Sequence, residues 1–182
     1  MNSRTITRSG VLVAVLLLPA AVLAQGARVQ LDQLAHLADK AEENVNVTVD
    51  SEMLKQSAGF LAGKDADAAK LNETIKNITG IYVRSFKFSG ANAYTDADVQ
   101  SIRKQVTGSS WTRIVSVREK GELTEIYFFR EKEATRGLLV ISAESDELTI
   151  VNIVGEVNLA SLAALGPMIP KLPGNNRKAA PK

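Results

Sequence analysis

A chain of 182 residues with 45% hydrophobic and 23% charged residues has an ordinary globular composition, which argues against disorder and allows one domain with a real core. Two of its 22 basic residues, Arg4 and Arg8, lie in the N-terminal segment discussed next, so the rest of the chain carries 20 basic against 20 acidic residues and predicts no nucleic-acid partner. The absence of cysteine excludes disulfides, thiol catalysis and cysteine-ligated metals.

The N-terminus has the pattern of a secretory signal peptide. Arg4 and Arg8 make its start positive, residues 10–18 form an apolar run that begins with a glycine, and the segment closes on small residues ending at Ala24, as signal peptidase requires. The run is too short to cross a hydrocarbon core of about 30 Å, and no second long apolar run follows. The sequence therefore predicts residues 1–24 as a signal peptide and a soluble, exported mature protein, periplasmic or extracellular, without a transmembrane segment.

The following elements alternate between helix and strand. Residues 30–43 predict an amphipathic helix, because apolar residues repeat on one face and charged residues on the other. Residues 45–49 alternate valine with polar residues, which is typical of a half-buried or edge strand. Asp50 or its neighbour can cap a helix over residues 51–62, and a further helix is predicted over residues 65–78.

The second half of the chain is rich in strands. One strand is predicted over residues 81–89, and Thr95 and Asp98 form a capping-box pattern that opens a helix ending near Val106. Short polar turns then connect four predicted strands into an antiparallel meander. These strands cover residues 111–118, 122–130, 137–143 and 148–157. The last two are nearly continuous apolar runs and should be the most buried.

The predicted organisation is a signal peptide followed by one domain and a tail. The domain covers residues 25–166, and its fold class is α+β, an antiparallel sheet with a C-terminal four-strand meander and helices packed on at least one face. A short helix over residues 159–165 closes it. Residues 167–182 are basic and contain proline and glycine, which predicts a disordered tail.

Several strand motifs carry a resemblance to a known family. Residues 136–142, Arg-Gly-Leu-Leu-Val-Ile-Ser, and residues 147–159, which run from Glu-Leu-Thr-Ile-Val to Val-Asn-Leu, are similar to the bacterial domain of unknown function 4252 family. Residues 80–84 and the N-terminal amphipathic helix also fit, so the likeness covers about residues 30–165. The resemblance implies a small exported protein with a role in envelope regulation, and no established activity. Many relatives look like lipoproteins with a cysteine after the apolar segment, and this chain has none.

His36 is the single histidine and the candidate catalytic acid–base group. Asp32 lies four residues before it and Asp39 three residues after it, so the three are also candidate metal ligands on one helix face. A solvated helix face explains the same pattern and is favoured, because the spacing is weakly specific. Nucleotide-binding loops and serine-nucleophile motifs are absent, and the sequence predicts no cofactor.

Two other groups of residues have alternative interpretations. Asp96 and Asp98 could be paired acid–base carboxylates, but the capping box accounts for them and is favoured. Trp111, Tyr127 and Phe129 lie on neighbouring predicted strands and are candidates for lining a ligand pocket, although core packing is favoured.

Three functions follow from these patterns. The favoured one is a non-enzymatic binding or regulatory module of the bacterial cell envelope, which meets an envelope protein through a sheet face or edge. The first alternative is a cofactor-independent hydrolase that uses His36, and the second is a carrier of an apolar ligand. The sequence leaves the ligand and the oligomeric state open.

Overall fold

The computed structural model describes residues 26–61 and 76–157. Several predicted features lie outside the described residues: the signal peptide, nearly all of the helix predicted over residues 65–78, the short helix over residues 159–165 and the tail. In the two described ranges, no helix has both the length and the apolar character needed to cross a membrane.

The described elements form one open, six-stranded sheet with short helices. In chain order they are the 3₁₀ helix η1 (Asp32–Lys40), β1 (Glu43–Asp50), α1 (Ser51–Leu61), β2 (Ile78–Lys87), α2 (Asp96–Arg103), the 3₁₀ turn η2 (Lys104–Val106), β3 (Trp111–Glu119), β4 (Glu122–Glu131), β5 (Ala134–Ala143) and β6 (Glu147–Gly155). The strand order is β1-β2-β6-β5-β4-β3, and all neighbours are antiparallel. The predicted α+β class with an antiparallel sheet is confirmed.

The sheet buries apolar side chains on both faces. Face A carries Leu139 and Ile150 and packs against η1 and α2. Face B carries Val140 and Val151 and packs against Leu54 of α1. Because β5 and β6 contribute to both cores, 13 of their 19 residues are buried, including all of residues 137–143 and 148–153, which confirms their predicted burial. The apolar residues of β4 other than the half-buried Phe129 are buried too, more than its mixed sequence indicated.

The N-terminal helix is shorter than predicted and of another type. It is a 3₁₀ helix that ends at Lys40, and Glu43 already belongs to β1. Leu31, Leu34 and Leu37 are all buried and are spaced by three residues. A 3₁₀ helix has three residues per turn, so this spacing aligns the three leucines on face A.

Two strand boundaries also differ from the prediction. The helix predicted over residues 65–78 does not extend to Ile78. This residue begins β2, and Gly80 pairs with Val154 inside the sheet. The run that follows Ile78 is rich in β-branched and aromatic residues, which favour a strand. The turn predicted over residues 131–136 shrinks to two residues between β4 and β5.

The segment just after the predicted cleavage site, residues 26–31, lies on face A. Ala27 and Val29 are buried, and the amide of Asn152 on β6 binds their backbone. The Asn152 Oδ1 accepts from the Val29 N–H at 2.9 Å, while Nδ2 donates to the carbonyls of Ala27 and Leu138 at 3.0 Å each. A fully buried amide is thus satisfied by a segment more than 120 residues away, which attaches the N-terminal segment to the sheet.

Gly137 on β5 leaves room for this N-terminal segment. A Cβ at Gly137 would lie 2.6 Å from the Cβ of Ala27 and 3.2 Å from that of Phe129. Gly137→Ala is therefore expected to lower the free energy of unfolding by about 1–3 kcal/mol through overpacking, as measured by urea denaturation. Adding Ala27→Gly removes the closest contact and should recover much of the loss. An equal loss in the double variant would contradict this contact as the cause.

Candidate functional site

His36 lies on the exposed side of η1 and contacts the start of α2. Its Nε2 is 3.0 Å from Oδ1 of Asp98, and its Nδ1 is 2.9 Å from the backbone carbonyl oxygen of Gln33. The Oδ2 of Asp98 accepts hydrogen bonds from the backbone N–H and the hydroxyl of Thr95, at 2.7 and 2.8 Å. Asp98 therefore completes the predicted capping box, which is confirmed, and also connects α2 to η1.

The arrangement of the Thr95 hydroxyl, the Asp98 carboxylate and the His36 imidazole does not activate a nucleophile. In a hydroxyl-dependent hydrolase the imidazole lies between the hydroxyl and the carboxylate, so that it can take the hydroxyl proton. Here the Asp98 carboxylate lies between the Thr95 hydroxyl and the His36 imidazole. His36 also lines neither the cleft at Trp111 nor the cavity between η1 and β1, both described below. The geometry gives the hydrolase alternative no support.

The candidate metal ligands are not brought together. Asp32 is exposed, with its Oδ1 3.9 Å from Nη2 of Arg84, while His36 is directed to Asp98. Asp39 is exposed on η1. Over residues 26–61 and 76–157, no group of three histidine, aspartate or glutamate side chains is placed to hold a metal ion.

His36→Ala is expected to change the free energy of unfolding by less than about 1 kcal/mol. The ion pair with Asp98 is half exposed on the histidine side, and exposed pairs contribute little. Asp98→Ala should cost about 1 kcal/mol or more, because it also removes the helix cap. Thermal and urea denaturation of both variants check this. A loss above 2 kcal/mol for His36→Ala would contradict the surface interpretation.

The most buried charge in the described residues is one that the sequence interpretation missed. Glu125 on β4 is 2% exposed and accepts three hydrogen bonds. The donors are Nε of Arg103 at 2.7 Å, Nη1 of Arg113 at 2.9 Å and the hydroxyl of Tyr127 at 3.0 Å. Arg103 ends α2 and Arg113 lies on β3, so the network connects a helix to two strands. The one signal in the sequence was a glutamate on the strand face that also carries Leu123 and Tyr127.

The electrostatics of this network indicate a structural role. Burial alone would raise the pKa of Glu125, but the hydrogen bonds from Arg103 and Tyr127 and the charge of Arg103 outweigh it and lower the pKa. Burial and the Glu125 charge raise the pKa of Tyr127. Glu125 is therefore ionised and Tyr127 protonated near neutral pH, whereas a proton-transfer pair needs pKa values near the working pH.

The three aromatic candidates have different surroundings. Trp111 and Tyr127 are buried in the core of face A, and Phe129 packs against it. Trp111 and Phe129 are cross-strand neighbours whose ring centroids lie 5.3 Å apart at an interplanar angle of 65°. Both also line a cavity, and Tyr127 does not.

This cavity, called here the Trp111 cleft, is open and has a volume of about 880 Å³. It lies where β3 and β5 begin and β4 and β6 end. Its lining includes the apolar residues Ala27, Trp111, Phe129 and Val154 and the cations Arg130, Lys132 and Arg136. A second cavity of about 190 Å³ lies between η1 and β1. The Trp111 cleft is thus the larger of these two cavities.

The fold and these sites define a small α+β domain built on an open antiparallel sheet, with a buried ion-pair network and a sizeable cleft. The chain belongs to the family described as "Domain of unknown function (DUF4252)", which matches residues 39–165. This match confirms the resemblance noted from the strand motifs, and it begins near the end of η1. No curated protein and no solved structure matches the chain.

Proposed function

We propose that the protein is an exported, non-enzymatic binding module of the bacterial cell envelope, which accepts a partner protein at the edge strand β1. The signal-peptide pattern of residues 1–24 supports export. The C-terminal four-strand meander, with helices packed on face A, serves in this proposal as the rigid frame that holds the edge. The observation that carries the proposal is the unprotected state of β1.

In the part of the chain that the structure describes, the edge strand β1 has no lysine, proline or bulge, and seven of its eight residues are exposed. It pairs with β2 in an unbroken register from Glu43 to Asp50, and these two ends carry its charges. Val45 and Val47 are 47% and 36% exposed. Edge strands are normally protected by lysine, proline, a bulge or a covering element. In the described residues β1 has β2 as its single partner strand, so its outer backbone groups suit β-strand addition.

The opposite edge strand, β3, is protected. Its register with β4 shifts between Arg113 and Val115, which marks a bulge. Arg113 and Arg118 also place positive charge along the strand. Bulges and charged side chains are two of the features that prevent edge pairing. The contrast between the two edges supports β1 as the strand that accepts the partner.

The partner implied by β1 is an extended segment of another protein. Apolar side chains at alternate positions would pack beside Val45 and Val47, and basic residues near its ends would oppose Glu43 and Asp50. A second copy is a poorer partner, because symmetric antiparallel pairing places Glu43 opposite Asp50 of the copy. Like charges directly opposite each other destabilise a strand pair.

The edge proposal is tested with the variant Val47→Lys. The matched control is Val117→Lys on the opposite edge strand β3, where the native Val117 is 40% exposed. A partner is first identified by photocrosslinking from Asn44 in the native envelope, and its Kd is then measured with purified proteins. Val47→Lys is expected to weaken binding at least about tenfold, while Val117→Lys changes it by less than about twofold. Equal effects of the two variants, or no crosslink from β1, would overturn the proposal.

Export is tested by intact mass. The protein recovered from the periplasm or the medium is expected to begin at Gln25, because the cleavage pattern ends at Ala24. A mass that retains residues 1–24 would contradict export as a processed protein.

A second candidate function, a carrier of an apolar ligand, is favoured by one observation. The Trp111 cleft has an aromatic lining, and its volume of about 880 Å³ lies within the range of ligand sites, about 300–1,000 Å³. This candidate does not depend on the β1 edge.

A further inference from the structure

We infer that the Trp111 cleft binds a single-chain amphiphile with an anionic head, such as a fatty-acid carboxylate. The inference deepens the carrier candidate and rests on it, and it is independent of the β1 edge. Two features of the cleft support it: the apolar part of its lining and an excess of cations.

The apolar part of the lining is aromatic and held in place. Trp111 and Phe129 form an edge-to-face pair across β3 and β4, and Ala27 is fixed nearby by the hydrogen bond from Asn152. Val154 of β6 completes this surface. Because these groups belong to strands or are bonded to one, the apolar surface exists before any ligand binds, which reduces the entropic cost of binding.

The cations of the lining exceed its acids. The lining contains one carboxylate, Glu131, and three cations, which are Arg130, Lys132 and Arg136. Arg136 is bound to Glu156 at 3.3 Å, whereas Arg130 and Lys132 have no acidic partner in the described part of the chain. Guanidinium and ammonium groups bind carboxylate and phosphate oxygens through charge-assisted hydrogen bonds. The lining therefore favours an anionic head.

Together these features select the class of ligand. A small inorganic anion would leave the aromatic surface in contact with water, and an uncharged hydrocarbon would leave Arg130 and Lys132 without a counter-ion. A single chain with one anionic head satisfies both parts of the lining. The sequence does not signal this combination, because the cleft draws its residues from five separate stretches of the chain.

Tryptophan fluorescence gives a direct test, because Trp111 is the single tryptophan of the protein. The protein recovered from expression of the full chain is titrated with decanoate, with decanol as the matched uncharged chain and with acetate as the head alone. Isothermal titration calorimetry gives each Kd independently. Decanoate is expected to shift the Trp111 emission and to bind at least about tenfold more tightly than either control compound.

Charge variants test the head-group assignment. Arg130→Gln with Lys132→Gln should weaken decanoate binding by about three- to tenfold. Arg118→Gln with Lys120→Gln removes the same charge near the opposite, hairpin end of β3 and should leave the affinity unchanged. Equal binding of decanoate and decanol would overturn the anionic class and leave a carrier of apolar ligands. If neither decanoate nor decanol binds, both the anionic-amphiphile inference and the carrier candidate are overturned. If acetate binds as tightly as decanoate, the cleft is an anion site alone and the amphiphile inference is overturned.

Discussion

Glu125→Ala is expected to lower the free energy of unfolding by about 3–5 kcal/mol, because it leaves the guanidinium groups of Arg103 and Arg113 without their counter-ion. The Arg103 side chain is itself largely buried, so water cannot replace the lost carboxylate fully. Urea denaturation measures the change. Glu122→Ala, at an exposed position of the same strand, is the matched control and should cost less than about 0.5 kcal/mol.

The same network has an expected pH dependence. The pKa of Glu125 is lower in the folded state than in the unfolded chain, where a glutamate titrates near about 4.3. Its ionisation therefore contributes stability that is fully present above this value and is lost as the pH falls through the folded-state pKa. The difference in unfolding free energy between the wild type and Glu125→Gln should be constant between about pH 5 and 7 and shrink below that range. A difference that grows on acidification would contradict the lowered pKa.

The second large effect is expected from charge in the cores. Ile141→Asp on face A and Ile153→Asp on face B should each lower the free energy of unfolding by more than about 4 kcal/mol. Each places a carboxylate where the native side chain is at most 2% exposed, and at position 141 it lies directly opposite the like charge of Glu125. Circular dichroism and thermal melting report the loss.

Ile114→Asp is the control for these core variants. Ile114 lies on the edge strand β3 and is 45% exposed, so the added carboxylate stays hydrated and the cost should remain below about 1 kcal/mol. If the two core variants melt at the same temperature as this control, the assignment of both cores is wrong.

The parts of the fold that the sequence predicted are those set by neighbours along the chain. The capping box joins Thr95 to Asp98 across three residues, and the turns between β3 and β6 connect strands that are adjacent in the chain. Burial of β5 and β6 followed from their continuous apolar runs. Interactions over a few residues depend on local conformation and hydrophobic period, and both are visible in a sequence.

The least accurate predictions concern elements whose form depends on the surface beneath them. Residues 30–43 were interpreted as an amphipathic helix, although packing on face A holds Asp32–Lys40 as a 3₁₀ helix. Ile78 was placed at the end of a helix, but pairing with β6 makes it the start of β2. Tertiary contacts outweigh local preferences at such positions, because propensities differ by less than about 1 kcal/mol per residue.

From its sequence alone this protein could be assigned to a family, to the α+β class and to a set of short elements with their turns and caps. The candidate sites needed the assembled sheet. Asn152 meets the N-terminal segment from more than 120 residues away, and Asp98 of α2 contacts His36 of η1. The Trp111 cleft likewise exists because the N-terminal segment and the ends of several strands converge there. Contacts between residues distant in the chain form when apolar faces pack, and no local period of the sequence specifies which residues then meet.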